Sequence, residues 1–93
     1  RNQLTHTEVL FEGTLTCSVV YPREIVRLAI SQNAAAVLVG HNHPSGNKME
    51  SSDDRKITDK IKQALKTVDI NFHDHIIVVS GGGYTSLADK GLI

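Results

Sequence analysis

The most constraining feature of this 93-residue chain is an apolar run that leads into a polar turn and then into a long helical pattern. Residues 34–39 are all apolar, and the sequence His-Asn-His-Pro-Ser-Gly occupies positions 41–46. Alternate residues of an extended chain point to the same side, so His41 and His43 can direct two imidazoles at one point. Pro44, Ser45 and Gly46 predict a sharp turn next. Polar groups are therefore expected to collect at one end of a strand.

Asp54 completes a candidate metal site with the two histidines. It falls in the expected first turn of the following helix, where it can reach back toward them. Two neutral imidazoles and one carboxylate, with a fourth position left to water, are the ligand set of a catalytic zinc site. A His-x-His pair alone is weak, because surface turns often carry histidines. Its position after an apolar strand strengthens the hypothesis, since open α/β sheets usually bind ligands there.

The remaining patterns predict the elements around this segment. Residues 4–11 and 14–21 are rich in threonine and β-branched residues and predict a hairpin, turned by Glu12-Gly13. Pro22 predicts the start of a helix over residues 22–32, and Asn33 predicts its end. Residues 34–40 are apolar without alternation, which is typical of a central strand covered on both faces.

The second half of the chain predicts one long helix and two strands. Ser51 or Ser52 can cap the helix, and its apolar residues recur with strong helical periodicity. These residues are Ile57, Ile61, Ala64, Leu65 and Val68. Residues 75–79 and 84–87 predict strands separated by the flexible turn of residues 80–83. A helix, a strand and a second helix in succession indicate an α/β domain.

Composition excludes several classes of protein. Ten basic and ten acidic residues cancel, so the chain lacks the broad positive field that drives strong nucleic-acid binding. The lone Cys17 cannot form an internal disulfide, which favours a reducing cytoplasm. No apolar run approaches the roughly 20 residues of a membrane span. The chain starts at Arg1 and its only methionine is Met49, so we expect a fragment of a longer product.

The combined motifs resemble a known family. His41-x-His43, seven residues and then Ser51-x-x-Asp54 match the motif of JAMM metalloproteases. The further matching segments are Gly13-Thr14, Pro22-Arg23-Glu24, Asn33-Ala34-Ala35-Ala36, His41-Asn42-His43-Pro44-Ser45-Gly46 and Asp74-His75-Ile76-Ile77-Val78. Together they are similar to the RadC branch of that fold, and the resemblance covers nearly the whole chain.

The resemblance implies a fold, a cofactor and a reaction. It implies a mixed sheet flanked by helices, in the three-layer architecture shared with cytidine deaminases, as a single RadC-like domain over residues 1–93. It implies that His41, His43 and Asp54 hold zinc and that Ser51 supports the reaction by hydrogen bonding near the oxyanion. The implied activity is hydrolysis of a peptide or isopeptide bond by zinc-activated water. The alternative is a non-catalytic RadC-type module that assists DNA repair or mobile-element processes.

Two departures from the family pattern bear on activity. Glu50 replaces the proline that usually precedes the serine, which predicts a less stiff loop. The family's catalytic glutamate belongs to an earlier strand, which this chain lacks, so the domain is expected to be N-terminally truncated and to hydrolyse poorly. Glu8 and Glu12 are expected to be solvated rather than to replace it. A missing strand would leave an exposed sheet edge, which predicts self-association as a homodimer.

Other chemistries fit the residues less well. A nucleophilic Ser45 or Ser51 would need a free histidine as base, and zinc binding would occupy both neighbours. An HNH nuclease would carry its Asp-His element first, whereas Asp74-His75 comes last. A zinc deaminase would need Pro-Cys-x-x-Cys, and this chain has one cysteine. We interpret Asp74-His75 as a polar pair at a strand edge, with support of the metal site as the alternative.

Overall fold

Two helices and three strands form the part of the chain that the computed structural model describes, residues 20–43 and 49–93. In chain order they are α1 (Pro22–Ser31), β1 (Ala36–Asn42), α2 (Ser52–Lys66), β2 (Asn71–Val78) and β3 (Tyr84–Ser86). The strands form one sheet in the order β1-β2-β3, in which β1 and β2 are parallel and β2 and β3 antiparallel. The predicted α/β fold with a mixed sheet is therefore confirmed.

Some predictions fall on residues outside the described ranges. The hairpin over residues 4–21 lies outside them except for its last two residues, which precede α1 and belong to no strand. The turn at residues 44–46 and the side chains of Glu8, Glu12 and Cys17 also lie outside. The single domain over residues 1–93 and self-association through a sheet edge stay predictions.

Helix α1 follows its local sequence closely. Pro22 is its first residue, where the missing N–H of proline costs no hydrogen bond. Glu24 lies in the first turn, where the helix dipole favours a negative charge. After the helix, Asn33 adopts a positive φ of 53°, a conformation that asparagine tolerates better than most residues. The predicted helix over residues 22–32 is thus confirmed to within one residue.

The hydrophobic core lies between the two helices and one face of the sheet. Helix α2 contributes Ile57, Ile61 and Leu65, which recur every four residues and are buried. The other buried apolar residues of this cluster are Val20, Ile25, Ala29, Ile70 and Phe72. Val68, which the periodicity also predicted, lies beyond the end of α2 and is exposed. The core therefore fixes α2 against the sheet.

Strand β1 is covered on one face, which corrects the prediction of a strand buried on both. Val37 and Val39 pack against the core, whereas Leu38 between them is 57% exposed. Among the described residues both helices contribute to a core on the same side as Val37 and Val39. An apolar run can predict a strand, but the number of faces that are covered depends on which elements pack against it.

Asp74 joins β2 to the turn that follows β3. Its carboxylate accepts hydrogen bonds from the hydroxyl of Ser86, from the backbone N–H of Ala88 at 2.9 Å and from the N–H of His75 at 2.7 Å. Burial opposes ionisation of Asp74, but these hydrogen bonds outweigh it and hold its pKa below the ordinary value. Since β2 is the middle strand of the described sheet, the interpretation of Asp74-His75 as a strand-edge pair is wrong.

Neither α1 nor α2, the helices of the described ranges, has the length and apolar character needed to cross a membrane.

Truncation of the core side chain Ile61 should destabilise the fold strongly. Ile61 is 1% exposed, and we expect Ile61→Ala to lower the free energy of unfolding by about 2–5 kcal/mol, because it leaves a cavity between α2 and its neighbours. Ile30→Ala is the matched control, since Ile30 also lies in a helix but is 54% exposed. Urea denaturation measures both, and equal losses would contradict this account of the core.

Replacement of Asp74 should change how stability depends on pH. A carboxylate with a lowered pKa stabilises the fold fully above its unfolded pKa of about 3.9, and this contribution is lost as pH falls through the folded value. Asp74→Asn should therefore lower the free energy of unfolding at neutral pH by about 1 kcal/mol. The difference from wild type should shrink below about pH 4.

The control for this pH dependence is Asp59→Asn, which removes the same charge from an exposed position on α2. Urea denaturation at several pH values should show little effect of the control at any pH. A difference between wild type and Asp74→Asn that stays constant down to the acid transition would contradict the role assigned to Asp74.

Candidate metal centre

The two histidines lie at the carboxyl end of β1. His41 belongs to β1 and is paired in register with Ile77 of β2. The chain stays extended beyond the strand, because the N–H of His43 donates to the carbonyl of Val78 at 3.0 Å. Because the backbone is extended from His41 to His43, the two side chains point to the same side. This confirms the local geometry that the His-x-His spacing predicted.

A capping box at the start of α2 holds Asp54. The hydroxyl oxygen of Ser51 accepts from the N–H of Asp54 at 3.1 Å, and Asp54 Oδ2 accepts from the N–H of Ser51 at 2.7 Å. These reciprocal bonds satisfy two backbone donors that a helix start would otherwise leave without partners. The predicted cap is thus confirmed, with Ser51 rather than Ser52 in that position. The Asp54 carboxylate is 1% exposed and has little freedom to move.

The three candidate ligands converge. His41 Nε2 lies 3.3 Å from Asp54 Oδ1, and His43 Nε2 lies 3.1 Å from Asp54 Oδ2. One donor atom from each residue lies within 4.8 Å of the other two, so the group could hold a metal ion. His41 Nε2 is buried and makes no hydrogen bond within the described part of the chain. A buried nitrogen that faces a carboxylate without a hydrogen bond is a position that a cation would satisfy.

The protonation state of His41 suits a metal ligand. Burial lowers the pKa of His41, the nearby Asp54 opposes this effect, and His43 adds to it. The net result is a pKa below the ordinary value, so the imidazole is neutral at pH 7. A metal binds the neutral imidazole, because the coordinating nitrogen must offer its lone pair.

His75 lies at the site, which the sequence supported only as the less favoured alternative. It lies on β2 with no exposed surface, and its Nε2 is 2.8 Å from His41 Nδ1. Its other nitrogen, Nδ1, is 2.6 Å from Thr58 Oγ1 on α2. Burial and the neighbouring His41 lower its pKa to about 4, against the opposing effect of Asp54 and Asp74. His75 is therefore a neutral, buried partner of His41, and it lies on the middle strand of the described sheet.

The local pattern did not tell which face of the strand His75 occupies. Residues 75 and 77 point to one side and residue 76 to the other, and Ile76 and Ile77 are both apolar. The contact of His75 with His41 depends on the parallel register, which pairs Val39 with His75 and His41 with Ile77. That register joins residues 34 positions apart in the chain, and no local pattern reports it.

Glu50 is anchored, although its replacement of proline predicted a less stiff loop. Its carboxylate contacts Arg55 at 3.3 Å and pairs with Lys90 near the end of the chain. The hydrogen bond from Lys90 is the main reason that the pKa of Glu50 lies below its ordinary value. Two cationic partners therefore hold the residue that directly precedes the capping box.

A shallow groove elsewhere on the surface is a weaker candidate site. It lies between α1 and α2, encloses about 510 Å³ and is lined by Arg23, Val26, Arg27, Ile30, Ala64 and Thr67. Its lining is mostly apolar and includes none of the candidate ligands. Ligand sites usually combine an apolar pocket with several converging polar groups. The converging groups are at the carboxyl end of β1, so we place the candidate site there.

Comparison with known proteins identifies the family of this chain. The profile of a family described as "RadC-like JAB domain" matches residues 1–92. A UPF0758 protein of Pseudoalteromonas translucida is 53% identical over 95 residues, which cover 100% of this chain and 41% of that protein. A UPF0758 protein of Chromobacterium violaceum is 50% identical over 98% of this chain and 40% of its own length. One of Symbiobacterium thermophilum is 46% identical over 100% of this chain and 39% of its own length.

The chain spans about 40% of the length of the relatives it matches. Within that span the match reaches nearly every residue of the chain. With a family profile over residues 1–92, relatives at 46–53% identity and an α/β fold consistent with a JAB-like domain, the chain belongs to the RadC family.

Proposed function

We propose that this domain binds zinc through His41, His43 and Asp54 and hydrolyses amide bonds in peptide or isopeptide substrates as part of the full-length protein. The observation that carries the proposal is the convergence of three donor atoms on one point. His41 Nε2, at that point, is buried and makes no hydrogen bond among the described residues.

The donor set suits zinc. Zinc accepts imidazole nitrogen and carboxylate oxygen, and catalytic sites usually supply three protein ligands and leave a fourth position open. Two histidines and one aspartate meet that description without a further residue. When bound, zinc supplies Lewis acidity, which polarises a substrate carbonyl and activates water near neutral pH.

The chain's own residues have distinct parts in this proposal. His41 and His43 offer neutral nitrogens, and Asp54 offers a carboxylate oxygen held by the capping box. Ser51 uses its oxygen to accept from Asp54 N–H, which leaves its own proton available to donate. We propose that this hydroxyl donates to the oxyanion that forms as the amide carbonyl is attacked, because Ser51 is exposed beside the candidate ligands.

The substrate class and the general base come from the family alone. The resemblance to JAMM metalloproteases suggests a peptide or isopeptide bond, and it assigns the proton transfer to a glutamate upstream of this chain. General acid–base catalysis contributes about 10²–10⁴-fold, so we propose efficient turnover only for the full-length protein.

Zinc binding is the first test of the proposal. Wild-type protein should contain one equivalent of zinc by mass spectrometry, and Asp54→Ala should contain little, because it removes a ligand from a three-residue set. Asp53→Ala is the matched control, since it removes the same charge from the neighbouring, exposed position. Equal zinc content in the two variants would contradict the proposed ligand set.

Hydrolysis is the second test. The full-length protein should cleave members of a peptide and isopeptide library in a zinc-dependent way, and Asp54→Asn should abolish cleavage. Ser51→Ala should lower kcat by about 10²–10³-fold, as loss of an oxyanion donor does. Ser52→Ala, one residue further along, should leave kcat unchanged.

The outcome of this test also separates the two functions that the family suggests. Full-length protein that holds zinc but cleaves no amide substrate would contradict the hydrolase proposal. In that case salt-dependent binding to DNA would favour the non-catalytic module, because phosphate contacts weaken steeply as salt rises.

A further inference from the structure

His75 and Thr58 connect the candidate ligand His41 to the protein interior. Three side chains lie in a row: His41 Nδ1 is 2.8 Å from His75 Nε2, and His75 Nδ1 is 2.6 Å from Thr58 Oγ1. His75 and Thr58 are both almost fully buried. At the other end of the row, His41 Nε2 is the buried nitrogen without a hydrogen bond in the described ranges.

We propose that His75, held by Thr58, is a positioning residue that fixes the tautomer and ring orientation of His41, so that His41 Nε2 presents its lone pair to a cation. The proposal rests on the function proposed above, since it gives His41 the part of a ligand. It adds two residues to the site, neither of which touches the cation.

The hydrogen bonds of the row can run in only two directions. A neutral imidazole carries one N–H, so each ring that donates through one nitrogen accepts through the other. In the first direction, His41 Nδ1–H donates to His75 Nε2, and His75 Nδ1–H donates to Thr58 Oγ1. In the second direction, Thr58 O–H donates to His75 Nδ1, and His75 Nε2–H donates to His41 Nδ1. The direction of the row thus decides which nitrogen of His41 carries the proton.

Cation binding requires the first direction. In the second direction a proton on Nε2 would face Asp54 Oδ1 at 3.3 Å without forming a hydrogen bond, and it would block this nitrogen from a cation. In the first direction Nε2 holds a lone pair, which is the form that a cation requires. A hydrogen bond from the other nitrogen of a ligand histidine commonly sets its tautomer in this way.

Two separate elements keep the row in place. The parallel register of β1 and β2 places His41 and His75 as diagonal neighbours on the sheet. Thr58 lies one helical turn after Asp54 on α2, so one face of that helix reaches both the ligand group and His75. His41 is therefore held at Nδ1 by His75, while its Nε2 faces Asp54 Oδ1 at 3.3 Å without a hydrogen bond to it.

The experiment measures two quantities, the tautomer of His41 and the affinity for zinc, in wild type and in a set of variants. Nitrogen-15 NMR of histidine-labelled, metal-free protein reports which ring nitrogen of His41 is protonated, and competition with a chelator gives the zinc Kd. His75→Phe keeps a planar ring and removes both nitrogens. Thr58→Val removes only the hydroxyl, and Thr58→Ser restores it. The matched control is His73→Phe, the same replacement at an exposed position on β2.

Wild-type protein should carry the His41 proton on Nδ1 before zinc is added. His75→Phe should give a mixture of tautomers and weaken zinc binding by about 10–100-fold, as loss of such a partner does at other metal sites. Thr58→Val should change the tautomer of His41 and the zinc Kd in the same direction as His75→Phe, but by a smaller amount. Thr58→Ser should recover most of the wild-type behaviour. His73→Phe should change neither readout.

Several results would overturn the inference. A His41 proton on Nε2 in metal-free wild type would do so, and so would a wild-type zinc affinity in Thr58→Val. The Thr58→Val variant keeps the shape of the side chain, so it serves as the test if His75→Phe does not fold. Either result leaves the proposed zinc site intact. Conversely, failure of wild type to bind zinc would reject the proposed function, and the NMR measurement would still decide the tautomer of His41.

Discussion

The parallel pairing of β1 with β2 is the contact on which the rest of this structure depends. It sets His41 of β1 beside Ile77 and places His75 two residues earlier on the same side. The chain can make this parallel pair only by crossing over between the strands, and α2 is that crossover. The helix starts near the carboxyl end of β1, so the first turn of α2 meets the histidines. The parallel pairing thus brings His41, His43, the carboxylate of Asp54 and the buried His75 together.

Helix α2 serves the candidate site and the core with one buried face, its first turns at the site and its later turns in the core. Ile57, Ile61 and Leu65 anchor it in the core, while Asp54 and Thr58 face the histidines. The capping box that stabilises its first turn also orients the carboxylate that is a candidate ligand. Forces that hold the helix in the fold therefore also hold the site in shape. Binding of a cation there would in turn stabilise the folded state, because the unfolded chain has no assembled site.

The structure corrects two interpretations, each for a spatial reason. The apolar run of β1 is covered on one face, because the described helices build a core on one side of the sheet. Asp74 and His75 belong to a middle strand, where one closes the C-terminal turn and the other contacts His41. The less stiff loop before Glu50 stays a prediction, because residues 44–48 lie outside the described ranges, while Arg55 and Lys90 contact the Glu50 carboxylate.

The sequence by itself determined the features that depend on neighbours within a turn or two along the chain. Proline began α1, a capping serine and regular apolar spacing defined α2, and the His-x-His spacing with its match to the RadC family indicated the candidate ligands. The tertiary structure alone decided the partners of His75, Asp74 and Glu50, which are bonded to residues 34, 12 and 40 positions away. Helix caps and periodicities follow from backbone geometry over a few residues, whereas these contacts depend on strand register and packing, which only the assembled chain possesses.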